Sequence, residues 1–231
     1  MVTTNRLAAV AGSAFIIAAL GFAIETKRDS MALKATAEAQ EEADTKLGQY
    51  TLNMMELVRS PLSQLRRQVV ARNVVTVTNS IFTQEDHKKA FIAVLAIESR
   101  FDRLAQSPTG PKGISQTAKQ AFNEGIKYCS DLKHDDSDVW ETEIGLLAGA
   151  CYFRMILENT GNDVFASIVA YNQGLNSDAF KSFKRSGDVQ NTEALKYVTK
   201  FVFLTKKDAP APATKIEPSK PESKVKSKKS N

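Results

Sequence analysis

Apolar positions recur at helical spacing along most of this chain. Leu47, Tyr50, Met54, Leu57 and Val58 follow a helical period inside a segment rich in strong helix formers, so residues 29–59 are predicted helical. Ser60-Pro61 fits a cap followed by proline at a first helical position, and Leu62, Leu65, Val69 and Val70 continue an apolar face. Val74-Val-Thr-Val-Thr78 is β-branched and is expected to be extended. Thr83-Gln-Glu-Asp86 resembles a capping box ahead of a helix carrying Phe91, Val94, Leu95 and Ile97. Ser107 to Gly113 is loop chemistry. Glu143–Asn159, Asp163–Tyr171 and Leu195–Leu204 complete the apolar helices. No long alternating run and no internal repeat appears, so the fold class is mainly α.

The two ends read differently. Leu7–Ile24 holds 18 residues without a charge, about 27 Å as helix, enough to cross a bilayer core. It is expected to be a membrane anchor within residues 1–28. A small-x-small site at Gly21-Phe22-Ala23 also allows a cleaved signal segment. Residues 29–80 are expected to be a helical spacer, 81–205 the functional domain, and 206–231 a disordered tail. That tail mixes Pro with Lys and lacks the apolar residues to offset its ordering entropy.

Composition adds one point. The tail's eight Lys against three acids give a surplus of five, which equals the net charge of the whole chain, +5. The rest is neutral, so the basic balance gives no sign of a nucleic-acid-binding surface on the domain. Cys129 and Cys151 are too few for a disulfide framework, and neither His87 nor His134 stands at ligand spacing with them for zinc. They read as two half-buried thiols, which an exported location would allow to pair.

The chemistry concentrates in three short runs: Ala-Ile-Glu-Ser-Arg-Phe-Asp at 96–102, Gly-Ile-Ser-Gln at 113–116 and Ala-Tyr-Asn-Gln-Gly at 170–174. A carboxylic acid that protonates a glycosidic oxygen near neutral pH needs an apolar, partly desolvated setting. Glu98 sits between Ile97 and Phe101 on an apolar helix and fits that need. In this order the three runs resemble the lytic transglycosylase family, whose fold is related to goose-type lysozyme.

The resemblance implies cleavage of the MurNAc–GlcNAc β-1,4 bond of peptidoglycan. Glu98 would act as sole acid/base, first toward the leaving oxygen and then toward the muramic C6 hydroxyl that closes a 1,6-anhydro ring. No metal or organic cofactor is implied. By matching letters it assigns substrate-facing roles to Ser107, Gln116, Tyr171, Asn172 and Tyr197, and to Ser99 the turn after Glu98. Ser115 stands where the family often has Met, Gly145 where Asn is common, and Thr117 lacks the usual Pro-containing stretch. Asp102 is expected in solvent at the helix edge. The partners expected are glycan strands, a membrane through the N-terminal helix, and an assembly partner through spacer or tail. The domain would lie on the periplasmic, cell-wall side, or in a virion membrane if the source is viral. Two rival readings share the domain: a goose-type lysozyme-like hydrolase, with water as nucleophile, and a wall-docking component of a secretion, conjugation or phage-virion machine.

Overall fold

The computed structural model describes residues 33–129 and 134–206. Helix α1 occupies residues 33–57. It is followed by α2 (Gln64–Ile81), α3 (Glu85–Glu98), α4 (Lys119–Cys129), a 3-10 turn (Asp136–Trp140), α5 (Thr142–Asn159), α6 (Val164–Gln173), α7 (Asp178–Ser186) and α8 (Thr192–Lys206). Among the described residues the only bridge pairings are isolated, Gln106 with Lys112 and Lys112 with Thr117. No helix among them is long and apolar enough to cross a membrane. The Leu7–Ile24 run and residues 207–231 lie outside the described residues.

α3 is the central helix because its sequence has almost no polar face. Every residue from Ala90 to Ala96 is buried, so neighbours must cover it on all sides. α2, α6 and α8 pack directly on it. Ring contacts run outward from it: Phe82 and Phe91 are 5.7 Å apart between centroids, Phe91 and Phe153 6.0 Å, Phe153 and Tyr171 5.9 Å. This chain of rings links the α2–α3 loop through α3 and α5 to α6.

The expected spacer contributes to the same core. Leu47, Met54 and Met55 of α1 and Val70, Ala71, Val74 and Val75 of α2 share one buried cluster with α3. Asn79 Nδ2 donates to Asp44 Oδ1 at 2.7 Å, tying α2 to α1. The boundary drawn at 80/81 therefore falls inside a continuous core.

Several local expectations are corrected. Val74–Thr78 is helical, since Val70, Ala71, Val74, Val75 and Thr78 fall on one buried face of α2, and packing overrides the β-branched preference. The second helix starts at Gln64 after Ser63, past Pro61, where Arg67 holds the turn by donating to the carbonyls of Ser60 (2.8 Å) and Leu62 (2.9 Å). α3 is preceded by Gln84 and has no side-chain cap, so no capping box forms at Thr83–Asp86. Lys206 belongs to α8. Helices α4 and α7 were not legible in the sequence pattern. α4 buries only Phe122, Gly125 and Ile126, and α7 only Phe180 and Phe183.

Cys129 and Cys151 are not two thiols. They form a disulfide, with Cα atoms 5.6 Å apart, that joins the end of α4 to the middle of α5. The helices are close enough because residue 125 is glycine: a Cβ there would lie 2.3 Å from the Ala148 carbonyl oxygen.

Candidate active site

α3 delivers Glu98 as its last residue, with Ser99 as its cap. The chain then turns through two consecutive left-handed residues, Arg100 (φ 54°) and Phe101 (φ 66°). Such backbone is costly for a side-chain-bearing residue. Complete burial of Phe101 offsets it here. Ser99 Oγ donates to the Ile114 carbonyl at 2.6 Å. The turn after Glu98 is thus pinned to the Gly113–Gln116 segment.

That segment is held from every side. Tyr171 on α6 donates to the Ser115 carbonyl at 2.9 Å. Ser115 Oγ donates to the Gly145 carbonyl on α5 at 2.8 Å. Gln116 Nε2 donates to the carbonyls of Ala105 and Gly113, both at 2.8 Å. Three glycines allow the close approach. A Cβ on Gly113 (φ 76°) would lie 2.5 Å from the Val139 carbonyl oxygen, one on Gly145 2.7 Å from the same oxygen, and one on Gly149 2.4 Å from Ser115 Cβ. The two departures noted at positions 115 and 145 therefore meet each other: the Ser115 hydroxyl bonds the carbonyl of Gly145.

Glu98 opens onto a cavity of about 570 Å³, shared with Ser107, Gln116, Tyr171 and Asn172. Its environment sets its protonation. Burial pushes its pKa up to about 7. A hydrogen bond from Tyr197 and the charge of Lys200 act in the opposite sense, and Glu193 adds a smaller upward push. Tyr197 Oη donates to Glu98 Oε1 at 2.7 Å. Burial, then the Glu98 charge, drives both Tyr171 and Tyr197 well above the usual phenol range. Both phenols remain hydrogen-bond donors. The site holds one carboxyl poised to give or take a proton near neutral pH.

The six residues singled out in the sequence are distributed as follows. Glu98, Ser107, Gln116, Tyr171 and Asn172 line the cavity, and Tyr197 stands behind Glu98 in the core. Gln116 spends both its amide N–H groups on loop carbonyls. Ser107 Oγ pairs with Thr109 Oγ1 at 2.9 Å. Asp102 does not enter the cavity. It accepts the Leu104 N–H at 2.9 Å and lines a separate apolar groove with Leu65 and Val69. The lining also includes residues that the sequence did not single out for the site, among them Tyr152, Thr117 and Glu193. Tyr152 stands in the run Gly149-Ala-Cys-Tyr152, inside the apolar stretch that reads as a buried helix. Glu193 carried no signal beyond standing four residues before Tyr197, one turn away on the same helix face.

Comparison with known families places residues 80–193 in a match to the family described as Transglycosylase SLT domain. The match includes all the cavity residues named above and stops short of Tyr197. No curated protein and no solved structure matches the chain.

Proposed function

Residues 80–193 of this chain belong to the transglycosylase SLT domain family, and from that premise we propose that it is a peptidoglycan lytic transglycosylase with Glu98 as its sole acid/base. The family implies peptidoglycan as substrate. The finer reading is cleavage of the MurNAc–GlcNAc β-1,4 bond with formation of 1,6-anhydro-MurNAc ends. The observation that carries it is Glu98 itself, a carboxyl at the floor of a cavity with its pKa pushed up to about 7.

In the proposed reaction, protonated Glu98 gives its proton to the bridging oxygen as the C1–O bond breaks. The GlcNAc leaves as an alcohol. The Glu98 carboxylate then takes the proton of the muramic C6 hydroxyl, whose oxygen bonds to C1. Glu98 ends protonated, as it began. Proximity favours this intramolecular attack. Tyr197 has the geometry to steady the carboxylate between the two transfers, and its raised pKa keeps its hydrogen in place.

We further propose that the domain works outside the cytoplasmic membrane, held there by Leu7–Ile24. Its substrate lies there, and the Cys129–Cys151 disulfide suits an oxidising compartment.

One observation favours the hydrolase reading. Glu193 gives the cavity a second carboxylate, the group a glycosidase uses to activate water. Mass spectrometry of muropeptides released from sacculi separates the two. Anhydro ends, each lighter by one water, are the expected product. Reducing ends would move the protein to the hydrolase class.

A further inference from the structure

One residue of the cavity that Glu98 lines carries a buried polar atom with no partner. Thr117 is 5 % exposed, and its Oγ1 is the one buried side-chain polar atom among the described residues that makes no hydrogen bond. The residue lines the same cavity as Glu98 and directly follows Gln116. Its backbone is fixed: Gln116 before it is left-handed (φ 48°), and the Thr117 carbonyl accepts the Lys112 N–H at 3.4 Å. The other serine and threonine side chains that line the cavity, Ser107 and Thr109, pair with each other at 2.9 Å, and the buried Ser99 and Ser115 each donate to a backbone carbonyl. An unpaired buried hydroxyl is costly, and a valine of the same shape would avoid that cost. A threonine here needs another reason.

We propose that Thr117 is a specificity residue whose hydroxyl finds its partner in the bound sugar. One staggered step about χ1 carries Oγ1 into the place of the methyl group, and the methyl into that of the Cβ hydrogen, without moving the backbone. The hydroxyl then meets a neutral hydrogen-bonding group of the glycan, an N-acetyl amide or a ring hydroxyl. This rests on the reading that the cavity takes a glycan strand. Thr117 touches substrate without taking part in proton transfer, so its contribution falls on binding.

The test compares wild type with Thr117→Val and Thr117→Ser on soluble uncrosslinked glycan strands. Thr117→Val should raise KM about 3–10-fold with kcat held, the worth of one hydrogen bond. Its Tm should stay level or rise by about 2–4 °C as the unpaired hydroxyl goes. Thr117→Ser should restore KM. In parallel, the Thr117 methyl resonance of the Glu98→Gln chain should shift when a GlcNAc tetramer is added. If wild type cleaves the strands but Thr117→Val keeps its KM, or if the methyl resonance does not move, the inference is overturned and the functional reading stands. If wild type neither cleaves strands nor binds the tetramer, the glycan reading falls and this inference falls with it.

Discussion

The Tyr197 hydroxyl lies 2.7 Å from Glu98 Oε1, joining residues 99 positions apart in the chain. It binds the last residue of α3 to α8, which packs on α3. It also opposes the largest influence on Glu98: burial raises the pKa of this carboxyl, and the Tyr197 bond lowers it. The site keeps an acid that is mostly protonated just below neutrality and can still ionise.

Glu98→Gln keeps the shape of the site and removes the titrating group. Activity on sacculi should fall by about 10²–10⁴-fold or more, the usual worth of general acid/base catalysis. Near-full activity in the variant would show that another group carries the chemistry.

The same substitution should alter stability with pH. Burial holds the Glu98 carboxyl up at about 7 in the folded chain, against its ordinary value of 4.5. The folded chain therefore binds more protons than the unfolded chain between those values. Stability should fall as pH rises through that window, and the loss should be complete above it, on the order of 3 kcal/mol. Glu98→Gln does not titrate. Denaturant unfolding should find it more stable relative to wild type at pH 8 than at pH 4.5. A gap that is the same at both pH values would show that Glu98 is not desolvated.

Tyr197→Phe removes the bond that holds the Glu98 pKa down. The alkaline limb of the pH–rate profile should move to higher pH, since burial then acts with less opposition. The maximal rate should fall as the carboxylate loses its donor. A lower rate with an unmoved limb would reduce Tyr197 to a packing role.

The Cys129–Cys151 bond closes a separation of 22 residues. Its removal by Cys129→Ser with Cys151→Ser should cost roughly 2–4 kcal/mol of stability. Thiol titration of the unfolded, unreduced wild-type chain should find no free thiol. Two titratable thiols in oxidatively purified protein would refute the pairing.

Gly149→Ala would place a Cβ 2.4 Å from Ser115 Cβ. It should push the Ser115 segment off α5, break the Ser115–Gly145 and Tyr171–Ser115 bonds and lower both Tm and activity. Adding Ser115→Gly removes the atom it strikes and should recover much of the Tm. A double variant no better than the single one would place the fault elsewhere on α5.

The mainly helical class and the positions of α3, α5 and α6 follow from local signals in the sequence, and the apolar setting of Glu98 follows with them, whereas Ser107, Gln116, Tyr171 and Asn172 were named by the family that the three motifs resemble. An all-apolar run such as Ala90–Ala96 must be covered on every side, which makes it a central helix. Pairings between distant residues do not follow from local signals. The sequence does not say that Cys129 meets Cys151, that Ser115 meets Gly145, or that α1 and α2 share the core with α3. It placed Val74–Thr78 in an extended stretch because β-branched residues favour one locally, and the helical face they complete appears only once α1, α3 and α5 surround it. Glu193 and the unpaired hydroxyl of Thr117 belong to the same class. A side chain's position in a cavity and the partner it lacks are properties of neighbours far away in the chain, and only the tertiary structure brings those neighbours together.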